Sequence, residues 1–185
     1  MEIIEIRWHG RGGQGAITAA KIVASAAFES GYPGVVMAPT FGTERRGAPI
    51  FTSLKLSKKK IRDLSPIVTP DMVVVLDQML LAEADVTNGL KSGGLFVLNT
   101  TDSPDAYKDI DARVATVDIT SIAVEAGLPK GVVNSGVIGA FVKASGLVDI
   151  DLAAEFIQKE FAGKKPENNV KAAMLAYDRT LIGGK

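Results

Sequence analysis

Ile3-Ile4-Glu5-Ile6-Arg7-Trp8-His9-Gly10-Arg11-Gly12-Gly13-Gln14-Gly15-Ala16 decides how the rest of the chain is read. Ile3–Trp8 is short, rich in apolar side chains and runs into glycines, so it is read as a strand. Gly10–Gly15 follows as a loop. Ala16–Ser30 then carries Ile17, Ala20, Ala24, Ala27 and Phe28 at helical spacing, and Gly31 and Pro33 stop it. Gly10, Gly12 and Gly15 satisfy G-x-G-x-x-G between strand and helix, the context that the pattern requires. In such a loop the first glycine allows a tight turn, the second lets backbone approach a ligand, and the third lets helix pack on strand. Free N–H groups at the helix start favour an anion such as a diphosphate.

Working outward, Val35–Ala38 reads as a second strand. Ile50–Leu56 alternates in part and is expected to pair with Ile61–Leu64 across Ser57–Lys60 as an antiparallel ribbon. Val73–Leu76 is a fully apolar run, suited to a strand covered on both faces, with Met79–Leu90 as its crossover helix. Leu95–Leu98 and Val114–Val117 read as further central strands. In the last third, Asn134 or Ser135 is a candidate cap for a helix through Ser145, ended by Gly146. Asp151 is a candidate cap for the next helix, with Leu152, Phe156, Ile157 and Phe161 inward. Pro166 starts a third, with Val170, Met174, Tyr177 and Leu181 on one face. The pattern predicts one unit over residues 1–185: a three-layer α/β/α, Rossmann-like, mostly parallel (mixed) sheet, with a helical C-terminal part over about 134–183.

Composition excludes several functions. The chain has 185 residues; Lys+Arg and Asp+Glu both total 21, which leaves no basic excess for a nucleic acid. It has no cysteine, so disulfides, a thiol nucleophile, Cys-bound zinc and a self-held iron–sulfur cluster are out. It has one histidine, which removes multi-His metal sites and most Ser-His triads. Redox chemistry must therefore be carried elsewhere. The longest apolar stretches, such as Ala172–Tyr177, fall far short of the about 20 residues that span a bilayer. The start has no secretory pattern, so a cytoplasmic location without membrane contact is expected.

In open α/β sheets ligands bind beyond the carboxyl ends of the strands. Those ends carry His9–Gly15, Thr40–Arg46, Asp77-Gln78 and Asn99–Thr101. A nicotinamide site wants an acid at the end of the second strand, about 20 residues on, and Val36-Met37-Ala38-Pro39-Thr40 offers none. A Walker A lysine is absent too. Arg11 is either a phosphate partner or a solvated arginine at an interface. His9 reads as a hydrogen-bonded structural residue rather than a general base. Glu44, Arg45 and Arg46 stand between glycines in a long loop. They could clamp phosphate or carboxylate, dock a partner, or pair among themselves to shape the loop. Asp77 reads as a cap of the following helix, and Lys58–Lys60 as a solvated turn. No paired carboxylates, metal cluster or nucleophile–base pair stands out.

Ile6–Ala16 together with Phe41-Gly42-Thr43-Glu44-Arg45-Arg46-Gly47-Ala48-Pro49 resembles the gamma subunit of 2-oxoacid:ferredoxin oxidoreductases. Pro70–Asp77 and Gly131–Phe141 look like it as well, so the resemblance runs nearly the whole chain. Gly47-Ala48-Pro49 is more similar to the pyruvate and ketoisovalerate branch than to the 2-oxoglutarate branch. The resemblance implies a complex of anaerobic metabolism that decarboxylates a 2-oxoacid with coenzyme A, giving acyl-CoA (acetyl-CoA from pyruvate), carbon dioxide and reduced ferredoxin, or runs in reverse. It implies thiamine diphosphate between alpha and beta subunits, [4Fe-4S] clusters in the beta and ferredoxin-like delta subunits, and a gamma subunit that helps to place coenzyme A and is inactive alone. Gly10, Arg11, Gly12, Gly13, Gln14, Gly15, Glu44, Arg45 and Arg46 are then the candidate cofactor-binding residues, with no catalytic or metal-binding residue in this chain. The readings of another class are a stand-alone nucleotide-binding dehydrogenase and a scaffold module.

Overall fold

The structure, a computed structural model, describes residues 3–39 and 46–183. Strand β1 (Ile4–Arg11) alternates, with Ile6 and Trp8 in the main core and Glu5, Arg7, His9 and Arg11 on the opposite face. It runs past the predicted strand end because Gly10 and Arg11 still pair with Ile50 and Pro49. Helix α1 (Ala16–Glu29) leads to β2 (Gly34–Pro39), and β3 is Pro49–Ser57. Strands β4 (Met72–Val75), β5 (Gly94–Asn99), β6 (Ala112–Val117) and β7 (Leu181–Gly183) complete one sheet in the order β2-β3-β1-β4-β5-β6-β7. β1, β4, β5 and β6 are parallel, while β3 and β7 run antiparallel to their neighbours.

The expected ribbon does not form. β3 lies between β2 and β1, antiparallel to both, and residues 61–64 form no strand. Leu54 and Leu56 match Ile6 and Ile4 across the ladder, and this buries them on the core face. Residues 61–65 are instead tied to the opposite face by Lys55, 3% exposed, whose ammonium lies 3.2 Å from Glu5 and 3.1 Å from Asp63.

The expected crossover helix over Met79–Leu90 shrinks to one turn, α2 (Leu80–Glu83). Ala84 turns extended, and Gly89 adopts φ +73. The Arg7 guanidinium donates to the carbonyls of Val86 and Asn88, which holds this stretch irregular. One short helix the sequence reading missed, α3 (Ile119–Glu125), is capped by Asp118. Helix α4 is Asn134–Ser145, closed by Gly146 at φ +63. Neither Asn134 nor Ser135 is its cap; Val133 takes that position without a side-chain bond. α5 (Ile150–Glu160) is capped by Asp149, not Asp151, through the N–H groups of Asp151 and Leu152. α6 (Pro166–Arg179) starts on its proline, and Leu181, expected on that helix, opens β7 because Thr180 is already extended.

The helices load the two faces unequally. α1, α3, α4, α5 and α6 share one core with Ile6, Trp8, Leu54, Val74, Val97 and Val117. Trp8 and Phe141 rings meet at 4.9 Å. The other face, with Val73, Val75, Phe96, Leu98 and Val114, is covered by α2, residues 84–90 and a short 3-10 helix at Pro104–Tyr107. α4 sinks deeply: a Cβ on Gly139 would stand 1.9 Å from the Ala173 carbonyl oxygen of α6, and one on Gly136 would stand 2.2 Å from Ile119 Cγ2.

Gly139→Ala is therefore expected to lower the unfolding free energy by about 1–3 kcal/mol. Gly131→Ala, whose Cβ would meet nothing within 4 Å, should stay within about 0.5 kcal/mol; urea denaturation of the pair checks the contrast. Bonds from the Ser65 hydroxyl and N–H, then from Lys55, hold the Asp63 carboxyl down to about 2 from an ordinary 3.8. A depressed acid stabilises above its unfolded value and loses that contribution as the pH falls through the folded one. The protection of the amides at residues 61–65, taken relative to their intrinsic exchange rates, should thus fall as the pH drops from about 4 toward 2, and Asp63→Asn should remove that pH dependence.

Candidate functional site

The sheet order sets β1 between β3 and β4. The chain leaves β1 through α1 toward one side and resumes at β4, β5 and β6 on the other, so a crevice opens beyond the carboxyl ends of β1 and β4. There lies a cleft of about 540 Å³, lined by Gln14, Asp77, Asn99, Thr101, Asp118 and Lys130 among others. Asn99 holds its floor together: its side chain donates to the Leu76 carbonyl at 2.9 Å and accepts from the Ile119 N–H at 2.9 Å. Three strand ends are thereby locked at one edge.

The glycine turn enters this cleft through Gln14. The Gln14 N–H donates to the Arg11 carbonyl at 2.9 Å, and the Arg11 N–H donates to Gln14 Oε1 at 2.8 Å. Gly13 and Gly15 adopt φ +94 and +82, which L side chains rarely tolerate. α1 has no side-chain cap, and its first internal bond runs from the Ala19 N–H to the Gly15 carbonyl. The N–H groups of Ala16, Ile17 and Thr18 thus lie in the first turn with no intrahelical acceptor. α4 likewise has no side-chain bond from its cap residue Val133, although Asn134 Oδ1 accepts from the Ser135 N–H at 3.0 Å. The two starts touch: Asn134 fills the space above Gly15, its Nδ2 2.7 Å from where a Cβ would stand. Two helix dipoles therefore end side by side at the cleft, with Lys130 among the residues of its wall.

Residues 5–179 match the family described as pyruvate ferredoxin/flavodoxin oxidoreductase. The chain belongs to that family. It is 46% identical over 185 residues to the pyruvate/ketoisovalerate oxidoreductases common subunit gamma of Thermococcus kodakarensis, covering 97% of this chain and 98% of that protein. It is 44% identical over 182 residues to the pyruvate synthase subunit PorC of Methanothermobacter marburgensis, covering 98% and 100%. The crystal structure of pyruvate oxidoreductase subunit PORC from Thermotoga maritima superposes with a TM-score of 0.84 at 30% identity over 99% of both chains. The resemblance carried by the two loop motifs holds at the level of the family, and the fold class holds with it.

In this family member the flagged residues take different parts. Gly10 lies in β1, where a Cβ would stand 3.2 Å from Ala16 Cβ; the glycine expected to turn the chain instead packs the helix. Gly12 donates its N–H to the Ala48 carbonyl at 2.9 Å, so that N–H is engaged within the protein. Arg11 is drawn into an internal network: Nε lies 2.7 Å from Asp77, and both terminal nitrogens pair with Glu83 at 2.9 and 2.6 Å. Bonds to Glu83, then Asp77, push its guanidinium pKa up. Burial pushes the Asp77 carboxyl up, but the bonds from Arg11, the Met79 N–H and Gln14 outweigh it and hold the group below its ordinary value. Arg11 is thus engaged within the chain, and Asp77 accepts from the Met79 N–H in the turn before α2, whose cap is Met79 without a side-chain bond rather than Asp77. Arg46 is exposed and stands beside Gly13, its Cγ 3.6 Å from where a Cβ would be. Glu44 and Arg45 lie outside the described residues.

The cleft also uses residues that the sequence reading did not single out: Asp118, Ser121 and Lys130. Asp118 followed by Ile119, Ile122 and Ala123 at helical spacing was the available signal. Among the described residues no group of three or more His, Cys, Asp or Glu could hold a metal ion. His9 is not in the cleft. It sits on the opposite face against Phe51, ring centroids 5.6 Å apart, with its Nε2 unpartnered rather than hydrogen-bonded. Burial, then the Arg7 charge, lowers its pKa to about 4.

As His9 is the sole histidine, its imidazole signal can be followed alone by NMR and should titrate near pH 4. The unfolded chain takes that proton first, so stability should decline as the pH falls from about 6.5 through 4, and His9→Gln should flatten this window.

Proposed function

We propose that this chain is the gamma subunit of a pyruvate:ferredoxin oxidoreductase and that its cleft holds the diphosphate of coenzyme A. The complex converts pyruvate, coenzyme A and oxidised ferredoxin into acetyl-CoA, carbon dioxide and reduced ferredoxin, or the reverse, the electron pair passing to or from ferredoxin. The observation that supports the ligand is the meeting of the α1 and α4 starts at Gly15 and Asn134, with the α1 start uncapped, beside Lys130 and at the switch point of the sheet. Such a site stabilises a diphosphate without needing a ribose acid next to β1. The carbanion chemistry belongs to thiamine diphosphate in the alpha and beta subunits, and the clusters to the beta and delta subunits. A chain without cysteine offers no thiolate to a cluster. Its own work is to bind, orient and assemble, and no proton-transfer residue is assigned to it.

The Thermococcus relative is named as a subunit common to pyruvate and ketoisovalerate enzymes, which favours a second substrate for the complex as the nearest alternative. A nicotinamide-linked dehydrogenase is disfavoured because β2, whose end would present the ribose acid, lies beyond β3 and away from the cleft. No helix among the described residues is long and apolar enough to cross a membrane, and we place the complex in the cytoplasm.

The test is reconstitution with partner subunits. Lys130→Glu is expected to raise the KM for coenzyme A about tenfold or more, which corresponds to about 1.4 kcal/mol, while the KM for pyruvate and the subunit ratio stay unchanged. An unchanged coenzyme A dependence would leave this chain a scaffold only.

A further inference from the structure

Among the described residues the sheet ends in two edge strands, β7 and β2. β7 is three residues long, and a strand so short guards its own edge. β2 has none of the usual guards. It is six residues long, pairs one for one with β3 from Gly34 to Pro39 without a bulge, and carries no charged side chain.

The neighbouring ladders decide which backbone groups of β2 face outward. The Asp71 and Leu76 N–H groups donate to the Glu5 and His9 carbonyls, so the odd residues of β1 face β4. Its even residues therefore face β3, and the Gly12 N–H continues that ladder to the Ala48 carbonyl. Their partners are Ile50, Thr52, Leu54 and Leu56. Ser53, Lys55 and Ser57 then turn to β2, where they meet Ala38, Val36 and Gly34. The N–H and C=O groups of Val35 and Met37 are left pointing off the sheet. Among the described residues they find no hydrogen-bond partner there.

The sequence around these groups is chemically palindromic. Pro33-Gly34-Val35-Val36-Met37-Ala38-Pro39 gives a proline, a small residue and an apolar residue from either end, with Val36 at the centre. Two copies of one strand, paired antiparallel, lie on a two-fold axis that sets one residue opposite itself. With Val36 on the axis, Val35 meets Met37 of the other copy, and every outward N–H finds a C=O and every C=O an N–H. With Met37 on the axis Val35 would face Pro39, and with Val35 on the axis Met37 would face Pro33. A proline has no N–H to give, so both of those registers leave a carbonyl unpaired. The side chains agree with the first register. Val35 and Met37 pack on the main core, and their pairing extends that apolar face across the junction. Val36 meets its own copy, and no like charges fall opposite each other.

We infer that β2 is an interface between two copies of this chain, an isologous antiparallel junction centred on Val36 that joins two sheets into one. The cleft is lined from the far side of β1, with β3 and β1 between it and β2, so this junction stands independently of any ligand held there.

The chain has no cysteine, so Val36→Cys introduces a sole thiol. In this register that thiol faces its own copy in a non-hydrogen-bonded pair, with Cα atoms about 4.5 Å apart, within the range that a disulfide bridges. Air oxidation of the full chain should link two copies. Thr69→Cys, exposed and away from β2, should link at least about tenfold less. By sedimentation velocity the unaltered chain should run as a dimer that dissociates on dilution. Val36→Lys sets like charges opposite each other, and Met37→Pro removes one outward N–H but no bond to β3. Each should weaken the dimer about tenfold or more, and Val36→Thr should not. Should either variant fail to fold, the cross-link decides alone. An unaltered chain that stays monomeric at every concentration, equal linking from Thr69→Cys, or a dimer that folded Val36→Lys and Met37→Pro leave intact overturns the inference. In the complex reconstituted with partner subunits the same link should form, and its absence there overturns the inference as well. A Val36→Cys thiol that maleimide labels in the chain alone but not in the complex gives the edge to a partner subunit instead.

Discussion

The site depends on how closely α4 approaches its neighbours. Gly136 and Gly139 present no side chain, so α4 lies against Ile119 of α3 and the Ala173 carbonyl of α6 at distances that no Cβ would allow. That depth carries the start of α4 to the carboxyl edge of the sheet, where Asn134 covers Gly15. A buried bond fixes the position: the Ser135 hydroxyl donates to Asn169 Oδ1 at 2.7 Å. The Asn169 amide in turn donates to the carbonyls of Lys164 and Lys165, the latter a non-glycine residue at φ 57. One wall of the cleft is thereby anchored to the loop that opens α6. A wall held by buried, fully paired polar groups keeps its donors aimed at one point, which is what preorganised binding requires.

The elements legible in the sequence are those whose signal is local. Val73–Val75 and Leu95–Leu98 are apolar throughout because both faces of these strands are buried, and the C-terminal helices repeat at helical spacing over several turns. What could not be read is pairing. Alternation in Ile50–Leu56 tells which residues share a face but not which strand lies alongside, and β3 finds two distant partners instead of the nearest segment. The irregular stretch after α2 was illegible for a similar reason, since the guanidinium that holds it comes from Arg7, far away in sequence. In the site, the glycine pattern marked the right turn and the wrong division of labour. Positive φ falls at Gly13 and Gly15, while Gly10 serves packing.

Charge pairing explains why Arg11 and Arg46 differ although both flank the same turn. Alternation along β1 puts Arg11 on the face opposite the main core, where Asp77 and Glu83 meet it with two-point geometry. Arg46 follows the same turn from outside and is exposed beside Gly13. The acids of the cleft are engaged as well: Asp77 by Arg11 and Gln14, Asp118 by Ser121. Their negative charge is partly offset before any ligand arrives. The positive charge left at the cleft is that of Lys130 and of the two helix starts, whose partial charges are fixed by the backbone and do not titrate.

This arrangement changes what an incomplete dinucleotide fingerprint means. The rule that seeks an acid at the end of the second strand assumes that this strand lies next to the first. Here β3 separates them, so no residue at the end of β2 could reach a ligand held by the glycine turn, whatever its identity. On the ligand side of β1 the sheet continues through β4, β5 and β6, and Asp118, after β6, lines the cleft. The missing acid is thus a consequence of strand order rather than of a lost site. The cleft at the helix starts opens over β4 and β5, away from the side on which a nicotinamide enzyme of the familiar order lays its ribose.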